Sequence, residues 1–326
     1  MPAIITHNIF AKEIYQLMDE QTKKIVKPAY SHYVNFSQSF DNFSYYHIFS
    51  QKKNKMIKDL GKAGHRKNTQ AYFINIIRNI INNNLIYDSE CRAYLYGSIN
   101  HYCLDSICHP YIFYKSGVWN KSDSSTVKYR GLHTKLEFNI DALLYEHKTE
   151  KNIIKYKFIN DLVPKINFSN NLKTVIDQTF KQTFNKENIS FYYNKSIKWA
   201  RFLYKWGVYD RFGIKRKIYL VFDKLFPNKN SNAADISYYK KNISTEDLNL
   251  KKKIWYHPSD DSLKFTYSFL DLYDLAIQKS TMLIKEVNKI LTGEQDIKKL
   301  SKTIKNVSYL TGLDITKNQQ LKFFEF

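Results

Sequence analysis

Apolar and polar residues alternate along this chain with the period of an α-helix over most of its length. Between Thr69 and Ile81, apolar residues recur at intervals of three and four, which predicts a helix there. The same pattern predicts a first helix capped by Thr6 that ends near Pro28, and a last long helix after Pro258 that ends at Gly293. Only 9 Gly and 6 Pro interrupt the 326 residues. These features predict an all-α fold in a single multi-helix domain.

One predicted helix begins near Ser89 and stops at Pro110, and it carries His101, Asp105 and His109 at steps of four. Steps of four drift by only about 40° on a helix, so the three side chains share one face. Each step also rises about 6 Å, which places the two histidines about 12 Å apart along the axis. One metal ion cannot bind both, because a zinc–nitrogen bond is only about 2 Å long. The spacing therefore predicts a strip of two or more metal ions.

A second predicted helix starts near Gly131 and repeats the spacing of four with His133, Glu137 and Asp141. Two such stripes inside otherwise apolar helices favour metal binding, because buried acids without partners are costly. Asp141 is expected to hydrogen-bond to a ligand histidine rather than to bind metal directly. Cys108 is expected to be a buried structural thiol.

One division of the candidate ligands satisfies this geometry. His101 and Asp105 bind one ion together with Asp41 and His65 from the preceding segments, and His109, His133 and Glu137 bind a second. Asp105 also bridges to a third ion that His7 completes. Nitrogen and oxygen ligands without thiolates suit Zn²⁺, and Mn²⁺ or Fe²⁺ stays open. The candidate metal ligands are His7, Asp41, His65, His101, Asp105, His109, His133 and Glu137.

The chain is strongly basic, with a formal net charge of +21. This charge suits anionic partners such as phospholipid surfaces or nucleic acid. No block of five Lys or Arg indicates a dedicated nucleic-acid arm, and a solvated lysine-rich surface is the preferred interpretation. No signal peptide and no run of 18 apolar residues is recognised, and three cysteines lack CxxC spacing, so a cytoplasmic location is expected.

The predicted domain has two parts and no internal repeat. Residues 1–150 hold the metal-ligand core, and residues 151–326 are a helical remainder with a long loop near 227–252. The chain has no GxSxG, CxxC or Walker motif, which disfavours a serine hydrolase, a redox protein or a P-loop enzyme.

Several segments resemble the zinc-dependent phospholipase C family, in particular its cytoplasmic bacterial members. The matching segments are PAIITH, FDNF, LGKAGH, AYLYGSINHYCLDSICHPY and HTKLEFNID, which contain the candidate ligands. The resemblance implies an all-α fold with two to three zinc ions, the first two bound as divided above. It also implies that Asp105 bridges, that Asp41 orients or deprotonates the attacking water, and that His7, Asp105 and N-terminal backbone groups bind the third ion.

The leading hypothesis is a zinc-dependent phospholipase C-like phosphodiester hydrolase, with Asp41 and Asp105 as the catalytic acids. Its expected substrate is a phospholipid or related phosphodiester, with peripheral association to an anionic membrane surface. One alternative is a single-strand nuclease, because fungal nucleases resemble this superfold and nucleic acid is a polyanion. Another is a non-catalytic, metal-stabilised protein that binds membrane surfaces.

Overall fold

A computed structural model describes residues 4–156, 162–226, 232–239, 243–317 and 319–325. Helices dominate this part of the chain and confirm the all-α prediction. The α-helices are α1 (Ile4–Leu17), α2 (Glu20–Val26), α3 (Tyr30–Phe36), α4 (Gln51–Gly64), α5 (Thr69–Asn82), α6 (Ser89–Ser116), α7 (Leu132–Thr149), α8 (Asn170–Phe184), α9 (Ile189–Leu203), α10 (Ile214–Leu225), α11 (Phe269–Leu291) and α12 (Leu300–Thr303). Two short strands, β1 (Trp255–His257) and β2 (Asp260–Phe265), form an antiparallel hairpin that the sequence pattern did not predict.

Helix α6 forms the centre of the molecule, with α3 and α11 packed along it. Its residues are buried on every side over most of its length, which is why it shows no single apolar face. Gly97 allows the closest approach: a Cβ there would lie 2.6 Å from the Cβ of Phe36 and 2.8 Å from the carbonyl oxygen of Tyr33. The helix that carries the first stripe of candidate ligands is therefore packed against other elements on all sides.

The predicted end of this helix at Pro110 is wrong, because α6 continues to Ser116 with Pro110 inside it. A proline has no N–H, so the carbonyl of Ser106 four residues earlier loses its helical partner. The backbone of Gly312 lies against that carbonyl so closely that a Cβ would be 2.3 Å from its oxygen. A distant segment thus packs against the carbonyl that lacks its helical partner, and α6 continues past the proline in a largely buried environment.

The first predicted helix is in fact two, α1 and α2, separated after Leu17. Thr6 lies within α1 rather than at a cap, and its backbone N–H and hydroxyl both donate to Asp141 of α7. Long-range packing thus replaces the local cap that the sequence suggested. The helices predicted at 69–81, after Gly131 and after Pro258 correspond to α5, α7 and α11.

The remainder of the chain surrounds this centre. A second group of buried side chains lies where α1, α7 and α9 meet, and it includes Ile5, Phe138, Tyr204 and Tyr238. Within the loop predicted near 227–252, the described residues form two 3₁₀ turns, Ala233–Ile236 and Thr245–Leu248. Residues 227–231 and 240–242 of that loop lie outside the described residues. The two-part division of the domain remains a prediction.

Candidate metal centre

The first stripe of α6 meets side chains from three earlier segments. Asp105 lies with its Oδ1 3.3 Å from Nε2 of His7 on α1 and its Oδ2 3.4 Å from Nε2 of His101. His65, at the end of α4, places its Nε2 3.0 Å from Oδ1 of Asp41 and 3.7 Å from Oδ2 of Asp105. All five side chains are more than nine-tenths buried. Single ligand atoms of His7, Asp41, His101 and Asp105 all lie within 4.8 Å of one another, a separation that one metal ion spans.

The second group joins the end of the same stripe to α7. Ligand atoms of His109, His133 and Glu137 also lie within 4.8 Å of one another. His133 places its Nε2 3.0 Å from Oε1 of Glu137, and its ring stacks on Phe113 at 4.6 Å between centroids. Asp105 reaches toward this group too, with 3.7 Å between its Oδ2 and Nδ1 of His109. Asp105 therefore lies between the two groups.

Backbone carbonyls set the tautomers of three histidines. Nδ1 of His65 donates to the carbonyl of Gly61 at 2.8 Å, and Nδ1 of His109 donates to that of Tyr309 at 2.7 Å. Nδ1 of His101 lies 3.2 Å from the carbonyl of Ser37. Each ring then presents an unprotonated Nε2 to the interior, as histidine ligands of metals do.

Two such nitrogens, Nε2 of His65 and Nε2 of His101, face each other at 3.1 Å. A proton or a metal ion between or beside these nitrogens relieves the repulsion of their lone pairs. Burial by itself lowers the pKa of His65, but the neighbouring carboxylate of Asp41 raises it, so this ring attracts a cation. Burial lowers the pKa of His101 to about 4, and burial also holds the pKa of His109 well below its usual range. Both rings are therefore neutral near pH 7, and their lone pairs are available to a metal ion.

Several atoms of the cluster have no hydrogen-bond partner among the described residues. These are both ring nitrogens of His7, Oδ1 of Asp41, both carboxylate oxygens of Asp105 and Nε2 of His109. Burial by itself raises the pKa of Asp105, yet the neighbouring histidines, His101 first, hold that pKa well below the usual range. A buried carboxylate without hydrogen bonds costs several kcal/mol, of order the desolvation penalty of an ion. The donor set therefore fits metal ions of the zinc type.

Two other polar side chains of α6, Asn100 and Arg92, make hydrogen bonds to neighbouring elements. Asn100 donates to the hydroxyl of Tyr33 at 2.8 Å and accepts from the hydroxyl of Ser280 at 2.7 Å. Arg92 donates to the side chain of Asn288 at 2.7 Å. Buried polar atoms without a partner among the described residues also occur outside the cluster, for example Oγ of Ser98, but the cluster differs in that its unpaired atoms belong to carboxylates and imidazoles at one place.

The prediction for Asp141 is corrected. Its carboxylate accepts hydrogen bonds from the backbone N–H groups of Ile5 and Thr6, from the hydroxyl of Thr6 and from the hydroxyl of Tyr238. It anchors the start of α1, and His7 follows one residue later. Asp141 thus acts on the cluster through the backbone of α1. As expected, Cys108 is a buried free thiol, and burial raises its pKa.

A cavity of about 250 Å³ opens onto both groups. Asp41, His65, His133 and Glu137 line its polar side, and Phe40, Phe113 and Leu310 line its apolar side. Lys58, Lys62 and Arg66 stand at its mouth, all exposed. The sequence interpretation missed these three cations, although they flank His65 in the run KDLGKAGHRK. It also missed the carbonyl of Tyr309, which as a backbone group leaves no sequence signal.

The helical fold and the buried cluster of histidines and carboxylates define an all-α protein equipped for metal-dependent chemistry. A sequence model of the family described as zinc dependent phospholipase C matches residues 6–188, which is more than half of the chain. The chain belongs to this family, and the resemblance seen in its motifs is confirmed. The matched segment contains all eight candidate ligands, and membership supports zinc as the metal and a hydrolase activity.

No curated protein and no solved structure matches the chain. Among the residues that the structure describes, no helix has the length and apolarity needed to cross a membrane.

Proposed function

We propose that this protein is a metal-dependent phosphodiester hydrolase of the phospholipase C type, and that its substrate is a phospholipid. One observation carries the proposal: seven acidic and histidine side chains converge in two neighbouring groups, one of four that includes Asp105 and one of three, beside one cavity. Asp41, His65, His101 and Asp105 would hold a first zinc ion, and His109, His133 and Glu137 a second. His7 and Asp105 would hold a third, whose N-terminal ligands fall on residues 1–3, outside the described part of the chain.

Zinc in these groups supplies Lewis acidity that polarises phosphoryl oxygens and lowers the pKa of a water molecule. Side chains of the protein would bind the substrate and position the attacking water molecule. Asp41 lines the cavity, and its Oδ1 has no hydrogen-bond partner among the described residues. This oxygen would orient a water molecule toward the substrate and accept its proton.

The three cations at the mouth, Lys58, Lys62 and Arg66, would position the phosphate. They add positive charge next to the carboxylates of the cluster. A negatively charged phosphodiester would therefore be attracted to the cavity before it reaches the candidate ligands. The apolar wall of Phe40, Phe113 and Leu310 suits the glycerol end of a lipid better than a second nucleotide, because it offers no hydrogen-bonding side chain. This combination favours a phospholipid over a nucleic-acid strand.

The test compares purified wild type with Asp105→Asn, which keeps the shape of the side chain and removes its charge. Metal content is measured by elemental analysis. Hydrolysis is measured on a short-chain phosphatidylcholine below its micelle concentration, on a chromogenic phosphodiester and on single-stranded DNA. We expect at least two zinc ions per wild-type chain, and for Asp105→Asn a loss of metal and a fall in kcat/KM of roughly 100-fold or more.

The matched control is Asp88→Asn, the same change at the N-cap of the same helix, where asparagine caps equally well. It should retain both metal and activity. Cleavage of single-stranded DNA in preference to the lipid would reassign the protein to the nucleases. Bound zinc with no cleavage of any substrate would refute the enzymatic proposal.

A further inference from the structure

Helix α10 presents its apolar side to solvent. Ile214, Ile218, Val221 and Leu225 recur at steps of four, three and four, and lie within about 60° of one another around the helix. Their exposed fractions are 59%, 62%, 59% and 69%. None of the twelve residues of α10, all of which the structure describes, is buried. Helices of water-soluble domains bury this kind of face against a core.

The polar side of α10 faces the protein instead. The carboxylate of Asp223 accepts from the backbone N–H groups of Ala233 and Ala234, at 2.8 and 2.9 Å. The hydroxyl of Tyr219 donates to the carbonyl of Gly207 at 2.7 Å, and the backbone N–H of Arg216 donates to Asp210 at 2.8 Å. These contacts lie about 140–200° around the helix from Ile214. The helix is thus anchored by hydrogen bonds in an orientation that leaves the apolar side outward.

Exposed aromatic and basic residues also lie in the segment immediately before α10. Trp206 and Phe212, in the segment before α10, are 60% and 78% exposed. The ammonium of Lys205 lies 4.9 Å from the ring centroid of Trp206, and the guanidinium of Arg211 lies 5.6 Å from that of Phe212. Lys217 and Lys224, both exposed, flank the apolar stripe. We call this set the α10 surface: Lys205, Trp206, Arg211, Phe212, Ile214, Lys217, Ile218, Val221, Lys224 and Leu225.

We propose that the α10 surface docks this protein onto the surface of a bilayer that contains anionic phospholipids. An apolar stripe with an interfacial tryptophan and flanking Lys and Arg has the composition of helices that lie in the plane of a membrane interface. The apolar side chains enter the boundary between headgroups and acyl chains, and the cations meet lipid phosphates. A second copy of the same surface is disfavoured, because it would bring its four cations against these four.

The position of the surface links it to the cavity. Tyr204, two residues before Trp206, is buried, and its hydroxyl lies 3.1 Å from the hydroxyl of Tyr45. Tyr45 belongs to the same short 3₁₀ segment, Ser39–Tyr45, as the cavity residue Asp41. One hydrogen bond therefore links the segment before α10 to the segment that contributes Asp41 to the cavity. It lies outside residues 6–188, so the family match does not account for it. The inference stands without the proposed function, because docking needs no catalysis.

The test measures flotation of the full-length protein with vesicles of phosphatidylcholine, with and without phosphatidylglycerol. Both lipids are supplied as phosphonate analogues whose carbon–phosphorus bond resists hydrolysis. We expect binding to vesicles that contain phosphatidylglycerol, and at least roughly tenfold weaker binding for Ile218→Ser combined with Val221→Ser. Lys217→Glu combined with Lys224→Glu should weaken binding by about tenfold or more. Added salt should also weaken the binding of the wild-type protein, because it screens the attraction between the cations and the lipid phosphates.

The matched control is Met282→Ser, which changes a side chain of α11 that is 50% exposed and lies away from the α10 surface. It should bind like wild type. Circular dichroism and sedimentation velocity accompany every variant. Binding that survives both paired variants would overturn the proposal. A dimer that Ile218→Ser with Val221→Ser dissociates would also overturn it, because the occupant would then be a second copy of the chain. Hydrolysis of a short-chain soluble substrate should be unchanged in these variants, which keeps a docking failure separate from a failure of the proposed function.

Discussion

Asp105 and Asp141 are both completely buried aspartates, and they differ in what surrounds their oxygens. Asp141 accepts four hydrogen bonds from α1 and Tyr238, and so it is part of the architecture. Asp105 has histidines around it and no hydrogen bond to either oxygen among the described residues. The first arrangement holds an element in place, and the second leaves negative charge for a cation to satisfy. The same residue type thus serves structure at one position and chemistry at another.

At this scale we predict a pH dependence of stability that comes from Asp141. Burial raises the pKa of Asp141 to about 6 in the folded protein, whereas an unfolded aspartate has a pKa of about 3.9. The folded state therefore binds more protons between these values, and the free energy of unfolding falls as the pH rises through them. The total loss is about 3 kcal/mol, of which about 2 kcal/mol falls between pH 4.5 and pH 7.

Urea unfolding of the metal-free protein, compared with metal-free Asp141→Asn at each pH, isolates this contribution. The free energy of the wild type minus that of the variant should decrease by about 2 kcal/mol from pH 4.5 to pH 7. The subtraction removes the titration of the cluster histidines, which both proteins share. A difference that stays constant or increases with pH would show that the carboxylate is stabilised in its charged form by its four donors.

At the scale of elements, the close contact between α4 and the Ser39–Tyr45 segment positions His65. The ring of Phe40 lies directly on Gly64, where a Cβ would be 2.3 Å from a ring carbon. The same ring packs against the imidazole of His65 at 5.8 Å between centroids. Because Gly64 has no Cβ, Phe40 and the candidate ligand His65 can pack closely against each other and against α4. Crowded contacts of this kind transmit any change in volume directly to the ligand.

We predict that Gly64→Ala displaces Phe40 and with it His65. Overpacking should lower stability by about 1–3 kcal/mol and weaken zinc binding by about tenfold or more. Zinc affinity is measured by competition with a fluorescent chelator, and stability by thermal unfolding. Gly61→Ala is the graded control, because a Cβ there meets its nearest atom at 3.1 Å. Equal effects of the two substitutions would argue against this contact as the cause.

At the scale of the whole molecule, the candidate centre joins segments that lie far apart in the chain. α1 supplies His7, α6 supplies the central stripe, and α7 supplies the remaining two members of the second group. The C-terminal segment closes the far side: the backbone of Tyr309 donates to the carbonyl of His65 at 2.9 Å and accepts from His109. Metal ions bound here would therefore connect elements that span the whole sequence. Such ions contribute to stability as ligands of the folded state.

We predict that removal of metal with a chelator destabilises the protein globally. A ligand at a thousand times its Kd contributes about 4 kcal/mol per site. Two sites therefore contribute about 8 kcal/mol, which corresponds to a fall in Tm of roughly 10 °C in a chain of this size. Differential scanning calorimetry with and without chelator measures the change. Zinc should restore the Tm and Mg²⁺ should not, because histidine nitrogens bind zinc in preference to magnesium. Asp105→Asn should respond little to the chelator, and a full response would place the metals elsewhere.

The local pattern of apolar and polar residues was sufficient to predict most of the helices and to show which residues of each stripe share a helical face. A step of four puts residues on one helical face whatever the surroundings, so His101, Asp105 and His109 could be aligned before any contact was known. The end of α6 could not be obtained in the same way. Pro110 stops an isolated helix, but α6 continues past it in a buried environment, with the backbone of Gly312 packed against the carbonyl of Ser106.

Other features depend on contacts that no local pattern encodes. The hydrogen bonds of Asp141, the carbonyl of Tyr309 behind His109 and the outward side of α10 each arise from segments more than twenty residues away or from the orientation of a whole helix. The apolar side of α10 was not recognised in the sequence, and only the anchoring of the helix through Asp223 and Tyr219 decided that this side faces solvent. Periodicity is a property of neighbouring residues and can be obtained from the chain alone. The direction in which a face points, and the partner that satisfies a buried charge, are decided only when distant elements meet.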